Sequence, residues 1–182
     1  FMAQRKSTVE EAWPGDIVGL PDNGIFKIGD TLTEGDMLHF RGLPSFSPEL
    51  FKYIENDDPM KSKQFQKGLE QLMNEGVAQL FVTQFNNRRI VGTVGQLQFE
   101  VIQYRLEHEY NARCRWEPVH LHKACWIEAD SEEELERFKK RKYQYMAKDI
   151  EGRDVFLADS GYVLSMAQQD FEHVKFHFTS EF

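Results

Sequence analysis

Between Arg88 and Asn111 the hydrophobic pattern changes period. Ile90 to Val94 is a short apolar run, Gly92 and Gly95 frame a turn, and Leu97, Val101, Ile102 and Leu106 then recur at helical spacing. The pattern predicts a strand, a tight turn and an amphipathic helix carrying those four residues. The preceding stretch has the same form. Phe46 to Ile54 reads as a mixed apolar strand, and Asp57-Asp58-Pro59 as a helix start with Asp58 as N-cap and Pro59 in the first turn. Phe65, Leu69, Leu72 and Met73 share one face of the helix, and Gly76 suits its C-terminal cap because a left-handed residue there carries no Cβ penalty. A strand from Val77 to Phe85, the turn Asn86-Asn87 and a strand around Ala112 to Val119 complete the series.

The resulting order, β-α-β-β-α-β, is the split βαβ or ferredoxin-like arrangement, with two helices on one face of a four-stranded antiparallel sheet. We assign it to residues 44–119 and the chain to the α+β class. Beyond it, the pattern predicts a strand from Ala124 to Glu128, then a helix opened by Ser131-x-x-Glu134 with Leu135, Phe138, Tyr145 and Met146 as its apolar side. Asp154 to Ala158 and Val174 to Phe178 read as further strands. This C-terminal α/β extension either continues the same sheet or forms a second small layer, and periodicity does not choose between them.

Residues 9–38 differ. Trp13-Pro14-Gly15-Asp16, Ile17 to Leu20, Asn23-Gly24, Ile25 to Ile28 and Gly29-Asp30 alternate short apolar runs with turn chemistry, which predicts hairpin-rich β structure. So short a stretch cannot close a barrel and reads as the last strands of one that began upstream. Phe1 standing before Met2 points the same way, to an excised fragment. The expected division is residues 1–38 as the end of a barrel domain and residues 39–182 as the C-terminal α/β domain.

Composition narrows the function classes. Hydrophobic residues make up 41% of the chain, with 15 Phe, which is core material for a globular, soluble protein; no run approaches a membrane span. Two cysteines, Cys114 and Cys125, fit a reducing compartment and a cytoplasmic location. A net charge of −8 argues against tight binding to bare nucleic acid, DNA included, so any RNA contact is local.

Candidate chemistry is sparse. Gly24 to Gly29 has the glycine spacing of a phosphate loop, but Asp30 and Thr31 follow where Lys and Ser or Thr are needed, and an Asp there repels phosphate. Asp16-Ile17-Val18-Gly19 matches the short D-x-x-G pattern of GTPases by chance. Gly92 to Gly95 before a helix offers N–H groups to an anion but reads more simply as a tight turn. Cys114, His120, His122 and Cys125 lack the paired spacing of structural zinc. Ser160, in Asp159-Ser160-Gly161, is not in a nucleophile elbow. No catalytic, cofactor-binding or metal-binding residue is assigned.

Two basic patches remain. Asn86-Asn87-Arg88-Arg89 sits at a predicted hairpin tip and is the better candidate for touching RNA phosphate or an acidic surface. Arg137 to Lys142 follows Glu132 to Glu136 on the third helix and reads as a solvated face obeying the helix dipole.

At this point a likeness emerges. Trp13 to Leu20 followed by Lys27 to Leu32 resembles the closing strands of the barrel domain of translational GTPases, and Gly92 to Glu100 resembles a segment of the third, ferredoxin-like domain of elongation factor G. Phe40 to Pro44, Phe46 to Phe51, Asp58 to Lys61, Lys67 to Leu69, Glu75-Gly76 and Val91 to Asn111 resemble the bacterial class II release factor family, the type of peptide chain release factor 3. That likeness runs from about Val9 to Phe178. It implies a cytoplasmic GTPase that, after peptide release, helps detach the class I release factor from the ribosome. The GTP-binding domain, with its GTP or GDP and Mg, is outside these residues, so no family catalytic residue carries over. The likeness implies a ribosome-docking module that meets rRNA and ribosomal proteins, and the class I factor indirectly. The alternative is a free-standing RNA- or protein-binding ferredoxin-like domain, although the basic-aromatic strand motif of RNA-recognition domains is missing.

Overall fold

The computed structural model describes residues 8–21, 26, 30–38 and 47–180. Eight strands and four helices follow one another in the last of these segments: β1 (Leu50–Asn56), α1 (Ser62–Asn74), β2 (Gln79–Thr83), β3 (Arg89–Thr93), α2 (Gln96–Tyr110), β4 (Cys114–Pro118), β5 (Lys123–Ala129), α3 (Glu132–Arg141), β6 (Met146–Asp149), β7 (Asp154–Ala158), α4 (Gly161–Asp170) and β8 (Val174–His177). All pair antiparallel in one sheet of order β4-β1-β3-β2-β6-β7-β5-β8.

The first unit is the expected ferredoxin-like one. Asp58 accepts the Met60 N–H at the head of a short 3-10 turn, Pro59–Lys61, that leads into α1. Phe65, Leu69, Leu72 and Met73 are all buried. Gly76 has φ +71°, and the N–H groups of Gly76 and Val77 donate to Met73 and Leu72, the two bonds of a Schellman cap.

In α2 the apolar residues divide. Phe99, Ile102 and Leu106 are buried, whereas Leu97 and Val101 face outward, with Leu97 68% exposed. An inward arc that includes Phe99 leaves Leu97 and Val101 on the other side, so the helix is apolar on both.

The extension is a second copy of the same topology. β5-α3-β6-β7-α4-β8 repeats β-α-β-β-α-β, and its strand order mirrors that of the first unit about the β2–β6 pair, so the tail continues the sheet. The sequence expectation is corrected in two places. α3 ends at Arg141, Tyr143–Tyr145 is a single 3-10 turn, and Met146 opens β6 instead of prolonging the helix. The helix α4, which the sequence pattern does not announce, is capped by the Ser160 hydroxyl accepting the Val163 N–H and buries Leu164 and Ala167.

Each helix pair covers its own core: α1 and α2 bury Ile54, Leu80, Val91 and Cys114, while α3 and α4 bury Cys125, Ile127, Met146 and Phe156. The register places Leu80 and Met146 on the same side, so both pairs lie on one face of the sheet. On the other face Phe51, Phe81, Ile90, Trp126, Ala147 and Val155 form a third cluster, in which Phe81 is fully buried.

Chain length explains that burial. β4 and β5 are six strand spacings apart, about 29 Å in a flat sheet. The four residues 119–122 join them, and such a link reaches at most about 18 Å. The sheet therefore curls over its helix-free face, and Val119 and Leu121 of the link pack into the concavity. Gly92 serves the same closure, since a Cβ there would lie 2.8 Å from Pro48 and 3.1 Å from Phe81.

Among the described residues of 8–38 there is no strand. The backbone forms one turn, where Asp16 accepts the Trp13 N–H, and the apolar side chains Trp13, Ile17, Leu20 and Met37 are exposed. A strand needs a ladder partner, and Ile17 to Leu20 pairs with none of the described residues; Ile25, Lys27 and Ile28 of the second expected run lie outside them.

Candidate functional site

The β2–β3 hairpin carries the four residues singled out by sequence, and its tip is fixed by its own polar groups. The Thr83 hydroxyl donates to Asn86 Oδ1 at 2.5 Å and accepts the Arg88 N–H at 2.9 Å, while the Asn87 N–H donates to the Thr83 carbonyl. Asn87 stands at φ +54°, a region that Asn tolerates better than most side chains. Asn86 and Asn87 are exposed.

Arg88 turns away from the tip. Its guanidinium donates to Glu55 of β1 at 2.7 and 2.9 Å, pairs with Glu117 of β4, and lies over the Tyr53 ring at 3.7 Å from the centroid. Burial opposes its charge, but the hydrogen bonds to Glu55 and Glu117 outweigh it, so its pKa is raised. The bond from Arg88 correspondingly holds the Glu117 carboxyl below its usual range. Arg88 thus ties three strands together, and the outward chemistry of the tip rests with its neighbours.

Arg89, half-buried, lies on the helix side of the sheet. The register aligns Arg89 of β3, Val82 of β2, Lys148 of β6 and Asp154 of β7 in one row across the junction of the two units. Asp154 receives both Lys148, at 2.7 Å, and Lys139 of α3, at 3.2 Å, so one carboxylate serves two ammonium groups. The Lys139 pKa is raised, first by its bond to Glu136.

The two basic patches that are 48 or more residues apart in sequence meet here. Phe85 at the hairpin tip touches Tyr143, just past the basic end of α3, edge to face at 6.4 Å between centroids, and the Tyr143 hydroxyl donates to the Gln84 carbonyl. Phe85 is 64% and Tyr143 48% exposed. Lys140 and Arg141, the last two residues of α3, are exposed and form no ion pair among the described residues. Sequence reasoning missed the aromatic pair because Phe85 reads as the last apolar residue of a strand and Tyr143 falls within the helix expected to run on to Met146; the signal was an aromatic directly before Asn86-Asn87.

The other candidates resolve into structural roles. The Gln98 side-chain oxygen accepts the Val94 and Gly95 N–H groups at 2.8 and 3.0 Å, filling the nest that an anion would need at the head of α2. The Ser160 hydroxyl is engaged by Asp159 and the α4 cap. Cys114 and Cys125 are buried in separate cores, and burial pushes each thiol up to about 12. They cannot join one metal site. Asp16, the acid of the D-x-x-G match, closes the Trp13–Asp16 turn, and Gly24 and Gly29 of the glycine-spaced run lie outside the described residues. Among the described residues no helix is long and apolar enough to cross a membrane.

Comparison with known families places this geometry. Residues 1–35 match the model of elongation factor G domain 2, which makes the chain part of a translation factor and its first segment a piece of the translation-factor barrel. Residues 40–168, well over half of the chain, match the C-terminal domain of class II release factor RF3, and the chain belongs to that family.

Proposed function

We propose that this chain is the ribosome-docking C-terminal part of a GTPase that releases class I release factors from the ribosome in translation termination. The observation that carries this reading is the release-factor match over residues 40–168, which spans all of the first unit and most of the second. GTP or GDP and Mg belong to the parent's GTP-binding domain, and the present residues act by binding, in the cytoplasm. The role of such a module is to hold rRNA and ribosomal proteins while the rest of the factor cycles through its nucleotide states, meeting the class I factor only indirectly.

Two features support a docking role. The hairpin tip is pre-ordered by the Thr83 and Asn86 bonds, so little conformational entropy is lost on contact. The sheet joins both units through β2–β6, which gives a continuous body able to pass force from the tip to the opposite end. The test is co-sedimentation of the complete factor with ribosomes, together with recycling of a class I factor from termination complexes. Arg89→Glu is expected to weaken association and slow recycling; association of the complete factor that does not depend on this chain would overturn the reading.

A further inference from the structure

The seam between the two units concentrates features that the chain otherwise keeps apart. The net charge is −8, yet Arg89 and Lys148 share one row across the junction, where Asp154, 11% exposed, is already shared by Lys148 and Lys139, and Lys140 and Arg141 end α3 three and two residues before Tyr143. The acidic first turn of α3, Glu132 to Glu134, is held at the other end of that helix, roughly 10 Å away along its axis. Phe85 and Tyr143 stand exposed in the same place, and their edge-to-face contact leaves an open ring face on Phe85.

From this juxtaposition we infer that Arg89, Lys148, Lys140, Arg141, Phe85 and Tyr143 form a single-strand RNA site, in which the cations follow the phosphates and an unstacked base lies on Phe85. The combination favours RNA over an acidic protein segment: carboxylates need the cations alone, whereas a base needs a π-face beside them. The site is a strip a few residues wide, matched to one strand or a loop and not to a duplex. It rests on the ribosome-docking reading for its setting in the cell, while its chemistry stands on the seam itself.

The experiment is fluorescence anisotropy of a labelled twelve-nucleotide oligouridine with this chain, titrated from low to moderate salt. Weak, salt-dependent binding is expected. Phe85→Ala should lower affinity about tenfold, the loss of one stacked base. Lys140→Glu with Arg141→Glu should also weaken binding and flatten the log–log salt slope by about one to two units. Lys63→Glu with Lys67→Glu, on the outer side of α1, should leave binding unchanged. The charge reversal on α3 touches neither ring and keeps the test decisive should Phe85→Ala disturb the hairpin. Absence of binding at low salt, or equal loss in the α1 variant, would overturn the inference. So would binding of oligouridine and of polyglutamate that are both indifferent to Phe85, which would assign the strip to an acidic protein segment. Seam-dependent oligonucleotide binding, with ribosome co-sedimentation of the complete factor unaffected by the same variants, would confirm the RNA site and count against docking through it.

Discussion

Phe81 of β2 and Trp126 of β5 meet at 5.9 Å between ring centroids, although β6 and β7 lie between their strands. They are the keystone of the concave face, where neither ring meets solvent and the Trp126 indole N–H is satisfied by Asp149 at 2.9 Å. Phe81→Ala is expected to cost about 3–5 kcal/mol, the range for emptying a buried aromatic site. Denaturant unfolding followed by Trp fluorescence measures it, and a loss under about 1 kcal/mol would show that the curled sheet does not depend on this contact.

Gly76 gives a second prediction. At φ +71° a β-branched side chain is strained, so Gly76→Val should destabilise by about 1 kcal/mol or more, read as a lowered melting temperature. Gly76→Asn, which tolerates the left-handed region, should recover part of it. An unchanged melting temperature in Gly76→Val would remove the cap from the account of α1.

Arg88 and Arg89 should behave oppositely. Arg88→Glu places a third carboxylate against Glu55 and Glu117 and removes the stacking on Tyr53, so it should lower stability. Arg89→Glu should leave the melting temperature nearly unchanged while weakening ribosome association. Thermal melts of the two variants side by side distinguish them.

The same cluster sets a pH dependence. The folded-state pKa of Glu117 is depressed, so its contribution to stability is complete above its ordinary value near 4.5 and is lost as pH falls through the lower, folded value. The stability difference between the native chain and Arg88→Ala should therefore be constant near neutrality and narrow below about pH 4.5. A difference that grows toward acid would reverse the sign and refute the assignment.

Both thiols should be inert in the folded chain. With their pKa values pushed up to about 12 and their side chains buried, neither should react with a water-soluble disulfide reagent at pH 8, and both should react after unfolding in guanidinium. Rapid native-state labelling of either would contradict the core packing.

What was legible in the sequence was what local chemistry decides. Asp58, Pro59 and Gly76 each act on their own turn, and the α1 stripe from Phe65 to Met73 faces a single core, so pattern and structure agree. Met146 misleads because it continues the apolar rhythm of α3, while its real constraints are its pairing with Phe156 of β7 and the bond its carbonyl accepts from the Gln84 N–H, more than sixty residues earlier. α4 was hidden because its start depends on the Ser160 hydroxyl capping the Val163 N–H, which only the folded backbone brings about. The Asn86 to Arg89 tip was legible as a hairpin. The inward course of Arg88 was not, because Glu55 and Glu117 come beside it only through the β4-β1-β3 order.

The β2–β6 pairing also governs how the domain folds. Severed from each other, the two units would each expose a central strand as a raw edge, lined by unpaired backbone groups and open to association with other chains. Joined, they leave only short outer strands uncovered, β4 with Arg115 and Glu117 and β8 with Lys175 and His177, whose charges discourage further strand addition. The pairing consequently favours unfolding of the two units in one cooperative step.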